Sequence, residues 1–404
     1  MNSPININEG IIYAKHTRIK NTTLPCKFCG SESVIKHGRH FNSPRTFFRH
    51  VFSCKACGKR FKSERIPVGQ QPTFEYVSKP VPSQNWSAYS QAQKNEKLLL
   101  MQMLRELLDY LVIKEHNRIG RPSVDLKDMA FSLILKTFTG LSSRRLISDL
   151  EMAKQQGFIE NVYDFTVLMD YLRDNRMTQI FDELYKLAAL SLKQLEADFA
   201  VDSTGFSTSQ FGRWFDHKWG KEIEKREWVK AHVMVGTRTN AITSIEITPG
   251  ISGDSPQFEK LVTSTAKEFN VKEVSADKAY SSKKNLEIVV NLNAMPYIPF
   301  KEGITGKARG SMLWKKLFQY FQNNRQEFLE HYHKRSNVES SFNMIKSKFG
   351  SCLRTKSFQA QKNEILARAV CHNLCITIQE YFENNIEEKL PTETMETKQI
   401  TIQA

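Results

Sequence analysis

The sequence predicts an α/β fold, a mixed sheet flanked by helices, preceded by an all-helical region and a small cysteine-rich ribbon. Three observations support this prediction. Two Cys-x2-Cys pairs fall within residues 1–66, apolar residues recur at spacings of three and four within residues 94–196, and short apolar runs alternate with helical segments within residues 197–385. Alternating strands and helices are typical of α/β domains, whereas a sustained helical period is typical of a bundle. We therefore expect three folded domains, with residues 67–93 as a flexible linker.

Length and charge limit the class of protein. The chain has 404 residues, and its 58 Lys and Arg residues against 43 Asp and Glu residues give a formal net charge of +15. Such a surplus of positive charge favours a polyanionic partner. Nucleic acid is favoured over a membrane, because no apolar run of the sequence approaches the roughly 18 to 20 residues of a membrane-spanning helix.

The N-terminal sequence MNSPININEG lacks the basic and then apolar pattern of a secretion signal. We therefore expect a cytoplasmic, nucleoid-associated protein. In that reducing compartment the seven cysteines are expected to be thiols or metal ligands and not disulfides.

Residues 1–66 form a strongly basic block, with 13 Lys and Arg residues against three acids. The block contains the pattern C-x2-C-x24-C-x2-C, formed by Cys26, Cys29, Cys54 and Cys57. Each pair can direct two thiolates at one Zn²⁺, and the glycines that follow, Gly30 and Gly58, permit the positive φ of such a turn. We expect one structural Zn²⁺ here, with four free thiols as the alternative.

The segment between the two cysteine pairs interleaves arginine with phenylalanine. Arg45 and Arg49 are candidate contacts to DNA phosphates, while the neighbouring aromatic rings would stack on bases or insert between them. The alternative is that the phenylalanines form the small core of the ribbon. The segment also offers three possible substitute ligands, although four cysteines already complete a zinc shell: His37, His40 and His50.

The helical region contains a helix, a turn at Gly140 and a second helix that opens with Arg144 and Arg145. This arrangement resembles a helix-turn-helix, so both arginines are candidate DNA contacts. Any helical bundle turns a corner in the same way, which leaves dimerisation as the alternative role of the region.

Two strand-like segments of the third region end in an aspartate. Asp202 follows the run Ala-Asp-Phe-Ala-Val, and Asp277 follows Val-Lys-Glu-Val-Ser-Ala. On adjacent strands these carboxylates would lie side by side and repel each other unless a divalent cation neutralises them. The alternative is that each is an ordinary turn residue, and Asp198 and Asp254 are nearby acids that might be confused with them.

The stretch YHKRSNVESSFNMIK fits the pattern Y-x2-R-x3-E-x6-K, with Tyr332, Arg335, Glu339 and Lys346 at the fixed positions. If the stretch is helical, spacings of three, four and seven put all four side chains on one face. A helix face with one carboxylate, two cations and a phenol packs poorly in a core, but it can bind phosphate beside a metal ligand. A solvated helix with ordinary charge pairs is the alternative.

This stretch and the two upstream aspartates, in the same chain order, resemble the signature of DDE transposases of prokaryotic insertion sequences, in the group with the Y-R-E-K signature. The resemblance implies a ribonuclease-H-like catalytic domain in which Asp202, Asp277 and Glu339 bind two Mg²⁺ ions, with Mn²⁺ as a substitute. The order of predicted elements agrees: three strands, a helix, a strand, a helix, a strand and a closing helix. The zinc ribbon is a less usual addition to this family.

The resemblance also implies contacts to DNA. Tyr332, Arg335 and Lys346 would hold the phosphates of the terminal nucleotides. Lys230 lies in a Lys-x-His strand with His232 and would touch the DNA backbone.

A further match follows the second aspartate. The residues Asp277-Lys278-Ala279-Tyr280 resemble the family's sequence of Asp, a basic residue, Gly and an aromatic residue, with Ala279 in place of glycine. Lys278 and Tyr280 are therefore candidate DNA contacts.

The C-terminal part carries two further expectations. Cys371 and Cys375, one helical turn apart beside His372, are expected to pack in the core, because cysteine in an apolar helix behaves as a small hydrophobe. Metal binding by these residues is the alternative. Residues 386–404 are polar and are expected to be disordered.

The sequence therefore predicts a metal-dependent transposase that binds the terminal inverted repeats of an insertion sequence and cleaves and rejoins double-stranded DNA, as a homodimer on paired ends. Two alternatives remain at this point. One is a transposase-derived, non-catalytic zinc-ribbon regulator, and the other is a nuclease of similar fold that hydrolyses DNA without joining it.

Overall fold

The computed structural model describes residues 26–31, 34–41, 47–63, 66–67, 85–114, 124–208, 228–301, 303–307, 310–384 and 397–402. The chain divides into two units, Met1–Gln84 and Asn85–Ala404. The predicted DNA contact Arg45 and most of the predicted linker lie outside the described residues.

The first unit contains a small antiparallel sheet. Its strands are β1 (Val34–Phe41), β2 (Phe47–Cys54), β3 (Arg60–Lys62) and β4 (Ile66–Pro67). Strands β1, β3 and β4 all pair with β2. Phe52 and Phe61 stack with ring centroids 5.5 Å apart and are buried beside Cys26 and Cys54. At least part of the aromatic segment therefore forms the core of the ribbon.

The second unit begins with helices. They are α1 (Trp86–Tyr110), α2 (Leu126–Thr139), α3 (Ser143–Gln155), α4 (Phe165–Tyr171) and α5 (Asn175–Leu190), with a short strand β5 (Leu111–Lys114) after α1. Helix α2 begins at an N-cap aspartate, Asp125, whose side chain accepts from the Asp128 N–H at 2.8 Å. It ends at Gly140, where a φ of +65° gives the left-handed cap that the sequence predicts.

A five-stranded mixed sheet follows the helices. Its strands are β6 (Asp198–Ser207), β7 (Trp228–Gly236), β8 (Ile242–Pro249), β9 (Glu273–Ala276) and β10 (Met295–Tyr297). The order across the sheet is β10-β9-β6-β7-β8, with β6, β7 and β8 antiparallel, β9 parallel to β6 and β10 parallel to β9. This topology confirms the predicted ribonuclease-H-like fold.

Within the described residues, six further helices and three 3-10 turns complete the unit. The helices are α6 (Phe258–Glu268), α7 (Lys283–Asn291), α8 (Met312–Asn323), α9 (Arg325–Tyr332), α10 (Ser336–Phe349) and α11 (Phe358–Asn384). The 3-10 turns are Ser255–Gln257, Lys278–Tyr280 and His333–Arg335.

Both faces of the sheet are covered. Phe199 and Val201 of β6 pack in a core with α6, whereas Ala200 packs in a second core with α10 and α11. Neighbouring residues of β6 thus alternate between the two cores, as the pleat of a strand requires. Asp202 has the parity of Ala200 and therefore faces α10, the helix that carries Glu339.

Helix α11 lies between the sheet and the N-terminal helices. Val370 and Leu374 are fully buried in a core that also includes Leu104 of α1, Phe181 of α5 and Val233 of β7. The N-terminal helices and the sheet of this unit therefore share one hydrophobic core.

The two ends of the unit differ from expectation. Within the tail that the sequence predicts to be disordered, Lys398–Thr401 forms β11, which pairs in parallel with β5, and Ile402 is buried. Helix α1 already begins at Trp86, inside the predicted linker, because Asn85 caps it by accepting from the Ala88 N–H. In the described part of the chain, no helix combines the length and apolar character needed to cross a bilayer.

Asn373 of α11 gives a test of how the helical layer is fixed to the sheet. Its Oδ1 accepts from the Ile242 N–H at 2.8 Å, and its Nδ2 donates to the Tyr185 and Ile242 carbonyls at 2.8 Å each. Asn373→Ala leaves these buried backbone groups unpaired, so we expect a loss of about 2 to 4 kcal/mol in the free energy of unfolding.

Urea denaturation monitored by circular dichroism measures this loss. Asn384→Ala, at an exposed position near the end of the same helix, is the matched control. Equal denaturation midpoints for the two variants would contradict the predicted role of Asn373.

Candidate active site and cysteine metal centre

The pairing of β6 with β9 brings two of the predicted acids to the same level. Val201 pairs with Ala276 in the parallel register, and Asp202 and Asp277 are the next residues of the two chains. The Asp202 Oδ1 accepts from the Ser203 N–H at 2.8 Å, and the Asp277 Oδ1 accepts from the Lys278 N–H at 2.7 Å. Each carboxylate is therefore oriented by the backbone that follows it.

The signature stretch is helical but interrupted. Tyr332 ends α9, Arg335 ends the 3-10 turn, and Glu339 and Lys346 lie on α10. The Arg335 guanidinium pairs with Asp202 through Nη1 and donates to the Glu339 Oε1 through Nη2 at 2.7 Å. Arg335 thus links the glutamate of the signature to the strand that carries Asp202.

Burial and charge act against each other at Asp202. Burial raises the pKa of the Asp202 carboxyl, the Ser203 N–H and the Arg335 guanidinium lower it, and the negative charges of Asp277 and Glu339 raise it further. The side chain of Asp202 is 21% exposed and that of Glu339 is 61% exposed, so the cluster opens to solvent on the helix side. A cation that enters from that side would relieve the repulsion among the three carboxylates.

Two other acids resemble these in sequence but have different partners. Asp254 pairs with the Lys230 Nζ at 2.6 Å and lies 3.3 Å from the His232 Nδ1. Since His232 pairs with Ser203 of β6, these groups lie on the sheet face opposite Asp202. Asp198 pairs with Lys334, four residues before Asp202 on β6.

Lys346 differs from Lys230 in its surroundings. The Lys346 Nζ donates to the Thr204 Oγ1 at 2.5 Å and lies 5.3 Å from the Phe206 ring centroid. Burial lowers the pKa of Lys346, and no carboxylate of the described residues offsets this effect. Thr204 is not among the predicted site residues, although its position two residues after Asp202 puts it on the same face of the strand.

Tyr280 requires a correction. The sequence predicts a DNA contact, but the side chain is 1% exposed and its ring packs 5.6 Å from that of Phe258. Burial raises the pKa of its phenol, and the charges of Asp254, Asp202 and Asp277 raise it further. A buried ring cannot stack on a nucleotide, so Tyr280 is a core residue, while Lys278 in the same turn is exposed.

The remaining candidate DNA contacts lie farther along the chain. Arg144 and Arg145 are exposed at the start of α3, and the Arg144 guanidinium lies 4.6 Å from the Phe165 ring centroid. Arg49 is partly exposed on β2 of the ribbon. Tyr332 is partly buried at the end of α9 and packs against the core that includes Phe328.

The four N-terminal cysteines converge in the ribbon. The Sγ atoms of Cys26 and Cys57 are 3.7 Å apart, those of Cys29 and Cys54 are 3.6 Å apart, and all four lie within 4.8 Å of one another. A tetrahedral ion with Zn–S bonds of about 2.3 Å requires sulfur atoms about 3.8 Å apart, so the geometry fits zinc. The glycine after each pair has the predicted positive φ, +70° at Gly30 and +71° at Gly58.

Among the described residues, this cluster alone brings three or more His, Cys, Asp or Glu ligand atoms so close together. The carboxylates of Asp202 and Glu339 are instead joined by a guanidinium. Cys371 is fully buried and bonds the Ile134 carbonyl at 3.5 Å. Burial lowers the pKa of His372 to about 4, and its Nε2 bonds the Asn240 carbonyl at 2.9 Å, so both residues have core roles.

Comparison with known sequences agrees with the geometry. Residues 193–374 match the family described as the transposase DDE domain. A probable transposase for the insertion sequence element ISA1214 of Archaeoglobus fulgidus is 24% identical over 300 residues, which cover 72% of this chain and 87% of the relative. The piggyBac transposase in a synaptic complex with hairpin DNA has a TM-score of 0.36 and 11% identity, over 73% of this chain and 77% of that one.

The first two of these matches confirm the class of enzyme that the signature stretch and the paired aspartates predict. Residues 193–374 form a transposase DDE domain, the catalytic domain of metal-dependent phosphoryltransferases that act in DNA transposition.

Proposed function

We propose that this transposase has the Y-R-E-K signature and acts in the cytoplasm on the terminal inverted repeats of an insertion sequence. It cleaves the DNA strand at the element's end and joins that end to target DNA. The proposal rests on the strand register that puts Asp202 and Asp277 side by side. It rests also on Arg335, which contacts both Asp202 and Glu339.

Asp202, Asp277 and Glu339 are the proposed ligands of two Mg²⁺ ions, for which Mn²⁺ can substitute. The donor set fits such ions, because hard divalent cations prefer carboxylate oxygens. Three carboxylates and one guanidinium leave a net charge of −2 when all are ionised. Bound there, divalent ions supply Lewis-acid activation of water or a 3'-hydroxyl and stabilise the leaving oxygen.

The cations around the acids are the proposed phosphate contacts. Lys346 is the strongest of them, because no described carboxylate pairs with it and its ammonium already meets a hydroxyl of the strand that carries Asp202. Tyr332 and Arg335 hold the phosphates nearer to the acids. Lys278 is exposed for a backbone contact, whereas Lys230 would first have to exchange its pairing with Asp254 for a phosphate.

The basic ribbon and helix α3 are the proposed DNA-anchoring parts. One Zn²⁺ held by the four cysteines fixes the ribbon, and Arg45 and Arg49 contact DNA phosphates. Arg144 and Arg145 at the exposed start of α3 supply a second contact. Joining two element ends requires two such sites, so we propose that a homodimer holds the paired ends.

The acids give the first test. Asp202→Asn, Asp277→Asn and Glu339→Gln should each reduce Mg²⁺-dependent cleavage by about 10³-fold or more, because each removes a negative metal ligand, and a 10³-fold loss corresponds to about 4 kcal/mol. The measurement is strand cleavage of DNA that carries the inverted repeats flanking the coding sequence.

Asp254→Asn is the matched control for this test, because its carboxylate is paired on the opposite face of the sheet. We expect it to lose less than about tenfold, or about 1.4 kcal/mol, because Asp254 is not one of the proposed metal ligands. Absence of metal-dependent cleavage in the natural protein would favour the non-catalytic regulator, and cleavage without strand-transfer products would favour the nuclease.

Lys346 gives a second test. Lys346→Gln should weaken binding to the element ends and reduce the salt dependence of binding by about one unit of slope, as expected for one lost phosphate contact. Lys348→Gln is the matched control on the same helix, because that ammonium is paired with Glu96. Fluorescence anisotropy across a salt series measures both, and identical slopes would contradict the assignment.

The ribbon gives a third test. The purified protein should contain about one zinc per chain, and Cys26→Ser should lose it, because a closed four-cysteine shell needs every thiolate. Cys352→Ser is the control, since Cys352 lies outside the cluster. Metal analysis measures the content, and a zinc-free protein whose ribbon is still folded would overturn the assignment.

A further inference from the structure

A second pair of acids lies below the first on the same two strands. Asp198 of β6 pairs in register with Glu273 of β9. Each is four residues before one of the paired aspartates, Asp202 and Asp277, and so lies on the same face of the sheet, about 13 Å along the strand. The two strands thus carry two levels of side-by-side acids.

Lys334 joins both acids of the lower level. Its Nζ donates to the Asp198 Oδ2 at 2.6 Å and to the Glu273 Oε2 at 2.9 Å. Lys334 belongs to the 3-10 turn His333–Arg335, where it directly precedes Arg335. Neighbouring residues of one short turn therefore bind both lower acids and the upper acid Asp202.

His331 strengthens the lower contact. Its Nδ1 lies 2.8 Å from the Glu273 Oε2, and its ring stacks on Tyr297 of β10 with centroids 4.4 Å apart and an interplanar angle of 6°. The Ser275 Oγ donates to the His331 carbonyl at 3.3 Å. The end of α9 is thereby fixed to β9 and β10.

The lower cluster is sheltered from solvent. The side chains of Lys334, Asp198 and Glu273 are 34%, 30% and 18% exposed. A single exposed ion pair contributes little, but a lysine shared by two partly buried carboxylates and supported by a histidine is a network. Burial alone would raise the pKa of Glu273, yet Lys334 and His331 bring it below its usual value.

We propose that Lys334 is a positioning residue that clamps the 3-10 turn to both aspartate-bearing strands and so sets Arg335 and Glu339 at the level of Asp202 and Asp277. The inference rests on the proposed function of these acids. No sequence pattern predicts a role for Lys334 or Glu273, and Asp198 is notable in the sequence only as an acid near Asp202.

The physical reason lies in the chain between the clamp and Glu339. Only four residues separate Lys334 from Glu339, and the intervening backbone is helical. Release of the lysine would let the junction of α9 and α10 move relative to the sheet. Metal ligands tolerate little displacement, and loss of an outer contact that orients a ligand typically lowers metal affinity by about 10- to 100-fold.

The test compares Lys334→Met, which keeps most of the length but removes the charge, with Lys334→Arg, which restores a donor. The probe is Mn²⁺ alone, titrated calorimetrically into the full-length protein. We expect Lys334→Met to weaken Mn²⁺ binding by about tenfold or more and Lys334→Arg to recover most of the affinity. The metal concentration for half-maximal cleavage should rise in parallel, with much of the rate recovered at saturating metal.

Lys284→Met is the matched control. Lys284 pairs with Glu259 at the same 2.6 Å distance, but it joins α7 to α6 on the exposed surface. It should leave Mn²⁺ affinity unchanged. An equal loss of Mn²⁺ affinity in Lys284→Met and Lys334→Met would overturn the proposal, since the loss would then follow from removing any positive charge.

Lys334→Met leaves two carboxylates without their lysine. If this unfolds the protein, a triple variant provides the test. Asp198→Asn, Glu273→Gln and Lys334→Met together remove the clamp without leaving a buried charge, and should weaken Mn²⁺ binding as Lys334→Met does. If Asp202→Asn abolishes Mn²⁺ binding but neither Lys334→Met nor the triple variant changes it, the clamp is wrong and the proposed function stands. If Asp202→Asn has no effect on Mn²⁺ binding, the proposed function fails and the clamp with it.

Discussion

The proposed active site depends on the parallel register between β6 and β9. Neighbouring strands lie about 4.8 Å apart, and two ionised carboxylates about 5 Å apart repel by about 3 kcal/mol at an effective dielectric constant of 20. The pairing of Val201 with Ala276 imposes this repulsion on Asp202 and Asp277. The sheet tolerates this repulsion because two buried cores hold it together. In the proposed function, a bound cation would relieve the repulsion.

Arg335, the last residue of the turn at residues 333–335, partly offsets that repulsion. The guanidinium of Arg335 pairs with Asp202 and Glu339. Its positive charge offsets part of the negative charge of the three acids. A guanidinium is planar and cannot take the place of an ion that coordinates several oxygens at once. The arginine therefore keeps the carboxylates of Asp202 and Glu339 near each other, and in the proposed function the remaining negative charge would attract divalent ions.

The fold and the acids could be predicted from sequence where local patterns decide the structure. Gly140 ends α2 as predicted, and the acids at 202 and 277 follow apolar runs that become central strands. Tyr280 could not be placed from sequence, because a three-residue turn directs its ring inward against Phe258. The break at His333–Arg335 was also hidden, since a 3-10 turn between two helices keeps almost the same side-chain spacing.

Composition suggested separate regions for residues 94–196 and 197–385, whereas the core is shared between them. The cause lies near the end of the chain, because α11 packs against α1, α2 and α5 on one side and the sheet on the other. Asn373 satisfies backbone groups of α5 and β8 in that layer, which makes the contact specific as well as apolar. Helical periodicity predicts that α11 is buried, but it does not identify the elements that pack against it. The core shared by the two regions is therefore visible only in the folded structure.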